Sequence, residues 1–222
     1  MVQWVYERAS RARGITEVVI ATDHELILEE AVSFGANAVM TSEDHESGTD
    51  RIAEAAEEFP NTDVFVNVQG DQPFIEPDMI EKLIEPYRQG LEPDMATLAC
   101  PLDARDIGNP NTVKVAVNSK NIAMFFTRSP IPHFRHKIDN VPVYQHMGLY
   151  AYTVAALQKI NTLKPSKLEL AEGLEQMRAL EQGMSIYVST YEQMVPEINT
   201  LDDIHRALDL GLIDNYTLFE EK

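Results

Sequence analysis

Short runs of apolar and β-branched residues alternate with stretches of helical periodicity along most of this chain. The spacing predicts a helix from about Val2 to Arg13, stopped by Gly14, and then a buried-type strand in EVVIATD. A helix from about Glu25 to Phe34, a strand NAVMTS and a helix from about Thr49 to Phe59 follow. Strand DVFVNVQGD leads to a helix entered through Pro77, close to the N-terminal position proline prefers, and then to strand MATLACPL. Strand–helix units at this spacing predict a parallel sheet with covering helices.

Past Pro101 the pattern changes. TVKVAVN, IAMFFTRS and MGLYAYT are strand-like segments separated by the turns SPIPHF and VPVY. A long helix from about Lys167 to Gln182 and a strand SIYVST come next. A last helix, Asp202 to Leu210, has Thr200 as its N-cap and Asp203 three residues on. No internal repeat or low-complexity tract interrupts the pattern. The expected architecture is a single α/β domain over residues 1–222, with an antiparallel insertion at about 102–155. It opens on a helix, with no Gly-rich loop before it, whereas such sheets usually open on a strand.

Composition narrows the setting. The chain has 222 residues, 44% of them hydrophobic, enough to bury a core without staples. The single cysteine, Cys100, rules out an internal disulfide framework, and no Cys/His cluster suggests structural zinc. The N-terminal residues lack an apolar signal-peptide core, and no apolar run approaches the roughly 18 residues of a membrane span. A soluble protein of the reducing cytoplasm is expected. Thirty-six acidic residues face 18 basic ones, a net charge of −18. Such a surface repels nucleic acid and anionic membranes, so neither is expected as a partner; an anionic small substrate needs a local convergence of Arg and Lys.

Several polar clusters fall where strands end, the side on which open α/β sheets bind ligands. NVQGDQP, Asn67 to Pro73, puts Asp71 at a strand's carboxyl end, where a carboxylate could hold Mg²⁺ against substrate phosphates; an ordinary βα turn explains the same residues. In MTSEDHESGTDR, Ser47, Gly48 and Thr49 offer N–H groups and hydroxyls at a helix start, and Arg51 offers charge; a plain helix cap and a solvated arginine are the alternative. Thr22-Asp23 lies at the same edge. His146 and Tyr150 share one face of a strand, as a ligand grip or as a hydrogen-bonded core pair. Glu172, Glu175, Gln176 and Arg178 fall within two expected helical turns, with Glu172/Glu175 and Glu175/Arg178 at i, i+3 or simply on a solvated charged face. Gly173 inside that helix costs up to about 1 kcal/mol against alanine, which suggests a close approach by another group.

The order and wording of these clusters add what the single signals lack. VIATD, MTS..H.SGTDR, VNVQGDQP.I, F.TRSPIP, H.GLYAY and LE..E.LEQMRALE.G follow one another from Val2 to the last helix. Together they resemble the bacterial 3-deoxy-manno-octulosonate (KDO) cytidylyltransferases. The resemblance implies a mostly parallel, Rossmann-like nucleotidyltransferase sheet with helices on both faces and an antiparallel dimerisation and sugar-binding insertion. It implies Mg²⁺-dependent transfer of CMP from CTP to KDO or an 8-amino analogue, with release of pyrophosphate, for lipopolysaccharide biosynthesis. It assigns Thr22, Asp23, Thr41, Ser42, Ser47, Gly48, Thr49 and Arg51 to the nucleotide, and Gln69, His146, Tyr150, Glu175 and Gln176 to the sugar. Asp71 becomes the catalytic magnesium carboxylate. Asn199 falls where the family reads V-D-T and supplies a second, uncharged metal ligand, so one well-bound metal is expected. FFTRSPIP and the turns after it match the family's homodimer region. The family also opens with a strand and a phosphate-binding loop of the type PAR..S.R.PGK; roughly 25 to 30 residues bearing that helix-start loop are expected to be absent. The alternatives are a CMP-activating enzyme for another acidic sugar, such as a sialic acid, and a non-catalytic nucleotide-binding or dimer scaffold.

Overall fold

In chain order the elements are α1 (Val2–Ala9), β1 (Val19–Thr22), α2 (Glu25–Ser33), β2 (Asn37–Met40), α3 (Gly48–Ala56), β3 (Val64–Asn67), α4 (Pro77–Arg88), β4 (Met95–Pro101), β5 (Lys114–Val117), β6 (Ala123–Thr127), β7 (Tyr144–Thr153), α5 (Val154–Thr162), α6 (Lys167–Glu172), α7 (Gln176–Glu181), β8 (Ile186–Thr190) and α8 (Leu201–Asp209). The structure, a computed structural model, describes residues 1–45, 47–103, 105–136 and 141–213. The chain divides into two compact units, each drawn from separated stretches. The first comprises residues 1–40, 68–78 and 195–222, the second residues 41–67 and 79–194.

In the first unit β1 and β2 pair in parallel, Val19 opposite Asn37 through Thr22 opposite Met40. Helix α1 ends at Ala9, short of the expected Arg13, because Ser10 Oγ donates back to the Tyr6 carbonyl at 2.7 Å and the next N–H groups reach only three residues back. Phe74, Ile198 and Ala207 form a small apolar cluster that draws on two of the unit's three stretches. Helix α8 starts as the sequence predicts, with Thr200 and Asp203 completing a reciprocal capping box.

The second unit holds a six-stranded sheet ordered β6-β5-β7-β4-β8, with β3 also paired to β7. Strands β3, β4, β5 and β8 run one way and β6 and β7 the other, so the α/β class with mostly co-directional strands holds. β7 is antiparallel to β4 along one edge and to β3 and β5 along the other, which puts the inserted segment in the middle of the sheet. The fully buried Met95, Leu98 and Ala99 show that β4 is central, and α3, α5 and α7 contribute residues to its apolar cluster.

Two features were not readable from periodicity. Helix α5, absent from the sequence expectations, begins directly at the end of β7, where Thr153 is both last strand residue and N-cap, accepting from Ala156 N–H at 3.2 Å. The predicted helix 167–182 is two helices. Gly173 adopts φ 63°, ψ 44°, a left-handed C-cap that ends α6. A Cβ built there meets nothing within 4 Å, so the glycine is there for its backbone angle and not for a close approach. The helical i, i+3 pair across it, Glu172/Glu175, does not form, whereas Glu175 and Arg178, both beyond the break, attract each other. Arg178 grips Glu169 bidentately, Nε to Oε2 at 2.8 Å and Nη2 to Oε1 at 2.5 Å, and also donates to the Leu163 carbonyl. Glu172 accepts from Thr127 Oγ1 at 2.6 Å and Arg128 N–H at 2.9 Å. Nearby, the fully buried Lys114 ammonium donates to the carbonyls of Asn109, Thr112 and Arg128, which satisfies all three of its protons.

Candidate active site

In the first unit, β1 delivers Thr22 to its carboxyl end, where Thr22 Oγ1 accepts from His24 N–H at 3.1 Å. His24, not Asp23, caps α2, its Nδ1 accepting from Leu26 N–H at 3.3 Å. The segment after β3 carries Gln69 and Asp71. The Gln69 carbonyl accepts from Gln72 N–H at 3.2 Å, the Asp71 carbonyl from Ile198 N–H at 2.9 Å, and Gln72 Nε2 donates to Glu197 Oε1 at 3.2 Å. These bonds fix Asp71 against the segment that leads to Asn199. Asp71 Oδ1 and Gln72 Oε1 are both buried without a hydrogen-bond partner. Asn199 is exposed, and its N–H donates to Asp203 Oδ2, which also accepts from Thr200 N–H and Oγ1. Those bonds hold the Asp203 carboxyl below its ordinary range and occupy it as a cap.

In the second unit residues 41–45 fold onto α3. Buried Thr41 accepts from Arg51 Nη1 at 2.5 Å. Ser42 N–H donates to Glu54 Oε2 at 2.9 Å, and the same carboxylate oxygen meets the His45 ring nitrogen. Ser47 caps α3 in a box with Asp50, the sequence S-G-T-D spelling the motif. Gly48 is exposed at the helix start. Thr49, expected at the nucleotide, is 4% exposed.

His146 and Tyr150 face one side of β7, ring centroids 5.3 Å apart. A bulge separates them: Tyr150 pairs with Thr97 and His146 with Ala99, and Gly148 at φ 71° takes up the extra length. Thr97 Oγ1 lies 2.7 Å from the Leu149 carbonyl and 3.0 Å from His146 Nε2. Nε2 accepts from the Gly148 N–H at 3.3 Å, which leaves the ring proton on Nδ1. Burial pulls the imidazole down to about 3, so it is neutral at pH 7. Burial pushes the Tyr150 phenol well above its ordinary range, and its hydroxyl is a third buried group without a partner. Glu175 and Gln176 start α7. Burial raises the Glu175 carboxyl. Gln176 Nε2 is the fourth buried, unpartnered polar atom among the described residues.

The cytidylyltransferase family profile matches residues 1–186. A 3-deoxy-manno-octulosonate cytidylyltransferase of Acaryochloris marina is 47% identical over 208 residues, which cover 93% of this chain and 84% of that protein. The chain belongs to the 3-deoxy-manno-octulosonate cytidylyltransferase family. The family's Geobacter sulfurreducens member is 41% identical over 94% of this chain and 88% of its own length. A solved CMP:2-keto-3-deoxy-manno-octonic acid synthetase complexed with CTP superposes with a TM-score of 0.90 at 36% identity, covering 95% of this chain and 87% of that one. The fold extends to a 4-diphosphocytidyl-2C-methyl-D-erythritol synthase of Anaerococcus prevotii, TM-score 0.60 at 15% identity.

For this cytidylyltransferase, the unpartnered buried atoms add one residue that the motif reading passed over. Gln72 follows the assigned carboxylate directly, and its orphan oxygen is visible only once Glu197 fixes the amide's orientation. Tyr152 was legible in principle, since it repeats Tyr150 at the two-residue spacing of one strand face. Among the described residues no helix is long and apolar enough to cross a membrane.

Proposed function

We propose that this chain transfers CMP from CTP to the anomeric hydroxyl of KDO or its 8-amino analogue, releasing pyrophosphate for lipopolysaccharide assembly. The observation that carries the reading is the set of orphaned buried polar atoms. Three of the four, on Asp71, Tyr150 and Gln176, belong to residues the family motifs give to metal or sugar. A buried polar group without a partner costs about 1–3 kcal/mol, so a fold that keeps several at its motif positions is built to receive polar ligands.

The sugar hydroxyl attacks the α-phosphorus, the bond to the β-phosphate oxygen breaks, pyrophosphate leaves and the hydroxyl proton passes to solvent. Positioning and charge neutralisation dominate such transfers. In the first unit Thr22 and Asp23 serve the nucleotide and Gln69 the sugar. In the second, Thr41, Ser42, Ser47, the Gly48 N–H and Arg51 serve the nucleotide, and neutral His146, Tyr150, Glu175 and Gln176 bind sugar hydroxyls and carboxylate.

The donor set fits Mg²⁺. Asp71 Oδ1 is an anionic oxygen with no protein partner, and magnesium needs only one or two carboxylates when phosphates complete its shell. Among the described residues no group of three or more acidic, His or Cys side chains competes as a metal site. Bound there, the ion would withdraw charge from the phosphates. Asn199 offers only an amide oxygen, and Asp203 is held by its cap, so one tight metal is the expected count.

A homodimer is part of the reading, supported by Met124 and Phe134, 58% and 49% exposed in the 102–155 stretch. The buried free thiol of Cys100 fits the reducing cytoplasm. The test is pyrophosphate release with CTP, Mg²⁺ and each sugar, for the parent chain and Asp71→Asn. Turnover that falls about 10²–10³-fold in the variant supports the reading; a variant within tenfold of the parent overturns the role of Asp71. A parent silent with both sugars overturns the function.

A further inference from the structure

The segment after β2 is tied at both ends to one face of α3. Arg51 and Glu54, three residues apart on the helix, share that face. Arg51 Nη1 donates to Thr41 Oγ1 at 2.5 Å; Glu54 Oε2 accepts from Ser42 N–H at 2.9 Å and meets His45 Nε2. Within the segment Ser42 Oγ accepts from Asp44 N–H at 3.1 Å, which closes a small turn. Residues 41–45 and α3 all belong to the second unit.

The Ser42 N–H first, and the His45 ring after it, hold the Glu54 carboxyl below its ordinary value. It is therefore ionised at pH 7 and only accepts, so His45 Nε2 carries the ring proton that faces it. One carboxylate oxygen thus takes a backbone donor and a ring donor from two points of the same short segment. The two hydroxyls that the motif gives to the nucleotide, on Thr41 and Ser42, sit among these ties.

Charge alone argues against a carboxylate here. CTP is a polyanion, and an acidic group beside its loop repels it, so on that ground removing Glu54 would tighten CTP. A carboxylate that holds the segment instead raises the fraction of molecules able to bind, and its removal weakens CTP in proportion to the fraction lost. The two roles predict opposite signs.

We propose that Glu54, which lies outside the SGTDR motif, is a positioning residue for the nucleotide: by holding the Ser42 N–H and the His45 ring it keeps residues 41–45 in the form that presents Thr41 and Ser42 to CTP. The proposal rests on the reading of those two residues as nucleotide contacts.

The experiment measures CTP Kd by calorimetry without sugar, and sugar KM at saturating CTP. It compares the parent chain with Glu54→Ala, Glu54→Gln, His45→Ala and the double variant Glu54→Ala/His45→Ala. Glu54→Ala should raise CTP Kd about tenfold, the shift expected when about a tenth of the molecules keep the segment in place, with sugar KM within twofold. Glu54→Gln, whose amide oxygen still accepts from the Ser42 N–H, should bind CTP closer to the parent than to Glu54→Ala. The double variant should match Glu54→Ala within twofold, because His45 acts through the same oxygen. A Glu54→Ala Kd that is unchanged or lowered overturns the proposal. So does a Glu54→Gln no better than Glu54→Ala, or a double variant in which the two single losses add. Should Glu54→Ala not fold, Glu54→Asp, one methylene short of both donors, takes its place with the same expected rise. A parent that binds CTP yet releases no pyrophosphate with either sugar refutes the functional reading and leaves the Kd comparison to decide this one. A parent that binds no CTP refutes both.

Discussion

Tyr150→Phe should make the free protein more stable and the enzyme worse. Removing a tyrosine hydroxyl from a folded interior normally costs stability, because the hydroxyl has a partner. Here the oxygen is buried and unpartnered, while the ring keeps its contacts with His146 at 5.3 Å and Tyr152 at 5.9 Å. Phenylalanine retains those ring contacts and deletes only the stranded group, so the gain should be about 1–3 kcal/mol, the cost of an unsatisfied buried hydroxyl. For a chain of this length each kcal/mol moves Tm by roughly 2–4 °C, which gives a rise of about 2–12 °C. A sugar that satisfies the hydroxyl recovers the same free energy on binding, so the variant's sugar KM should rise roughly 5- to 150-fold. The assays are thermal unfolding without ligands and pyrophosphate release against sugar concentration at saturating CTP. A lowered Tm would show that the hydroxyl has a partner in solution, and an unchanged KM would show that the partner it awaits is not the sugar. Either result refutes the reasoning.

Arg178→Ala should cost about 3–5 kcal/mol in a denaturant melt, because it leaves Glu169 unpaired at a site where the two side chains are 13% and 11% exposed. The same pair sets a pH dependence. Its bonds to Arg178 hold Glu169 below the ordinary 4.5, so the stabilisation is present above pH 4.5 and is lost as pH falls through the lower folded value; Arg178→Ala should flatten that decline in denaturation midpoints. Gly173→Ala meets no steric clash and forces a left-handed angle on a side-chain residue, so it should cost about 1–2 kcal/mol by chemical denaturation, and a neutral variant would refute the C-cap account.

Local chemistry is what the sequence showed best. The Thr200–Asp203 box and the Pro77 entry to α4 sit where the residue types place them, since caps depend on neighbours three residues away. Gly173 was visible but misjudged: a glycine amid helical spacing has the same signature whether it admits a neighbour or turns left-handed. Helix α5 was hidden because it starts without a turn, Thr153 ending β7 and capping the helix at once. The central place of β7 depends on pairings of residues 144–153 with 64–67 and 95–101, and no local pattern encodes them. At the site, motif order singled out Asp71, Tyr150 and Gln176 as candidates, and that each holds a stranded polar atom is a fact of packing.

The interleaving of the chain has a consequence for its synthesis. β3 is complete by residue 67, yet its partner β7 begins at residue 144, and the Phe74 cluster waits for Ile198 and Ala207. A ribosome adding about 5–20 residues per second therefore exposes the half-made sheet for several seconds before either unit can close. Contacts that distant in sequence also make folding slow. During that interval the apolar strand β4 has neither β7 nor β8 beside it, so the nascent chain is open to aggregation and to chaperone capture until almost its whole length has emerged.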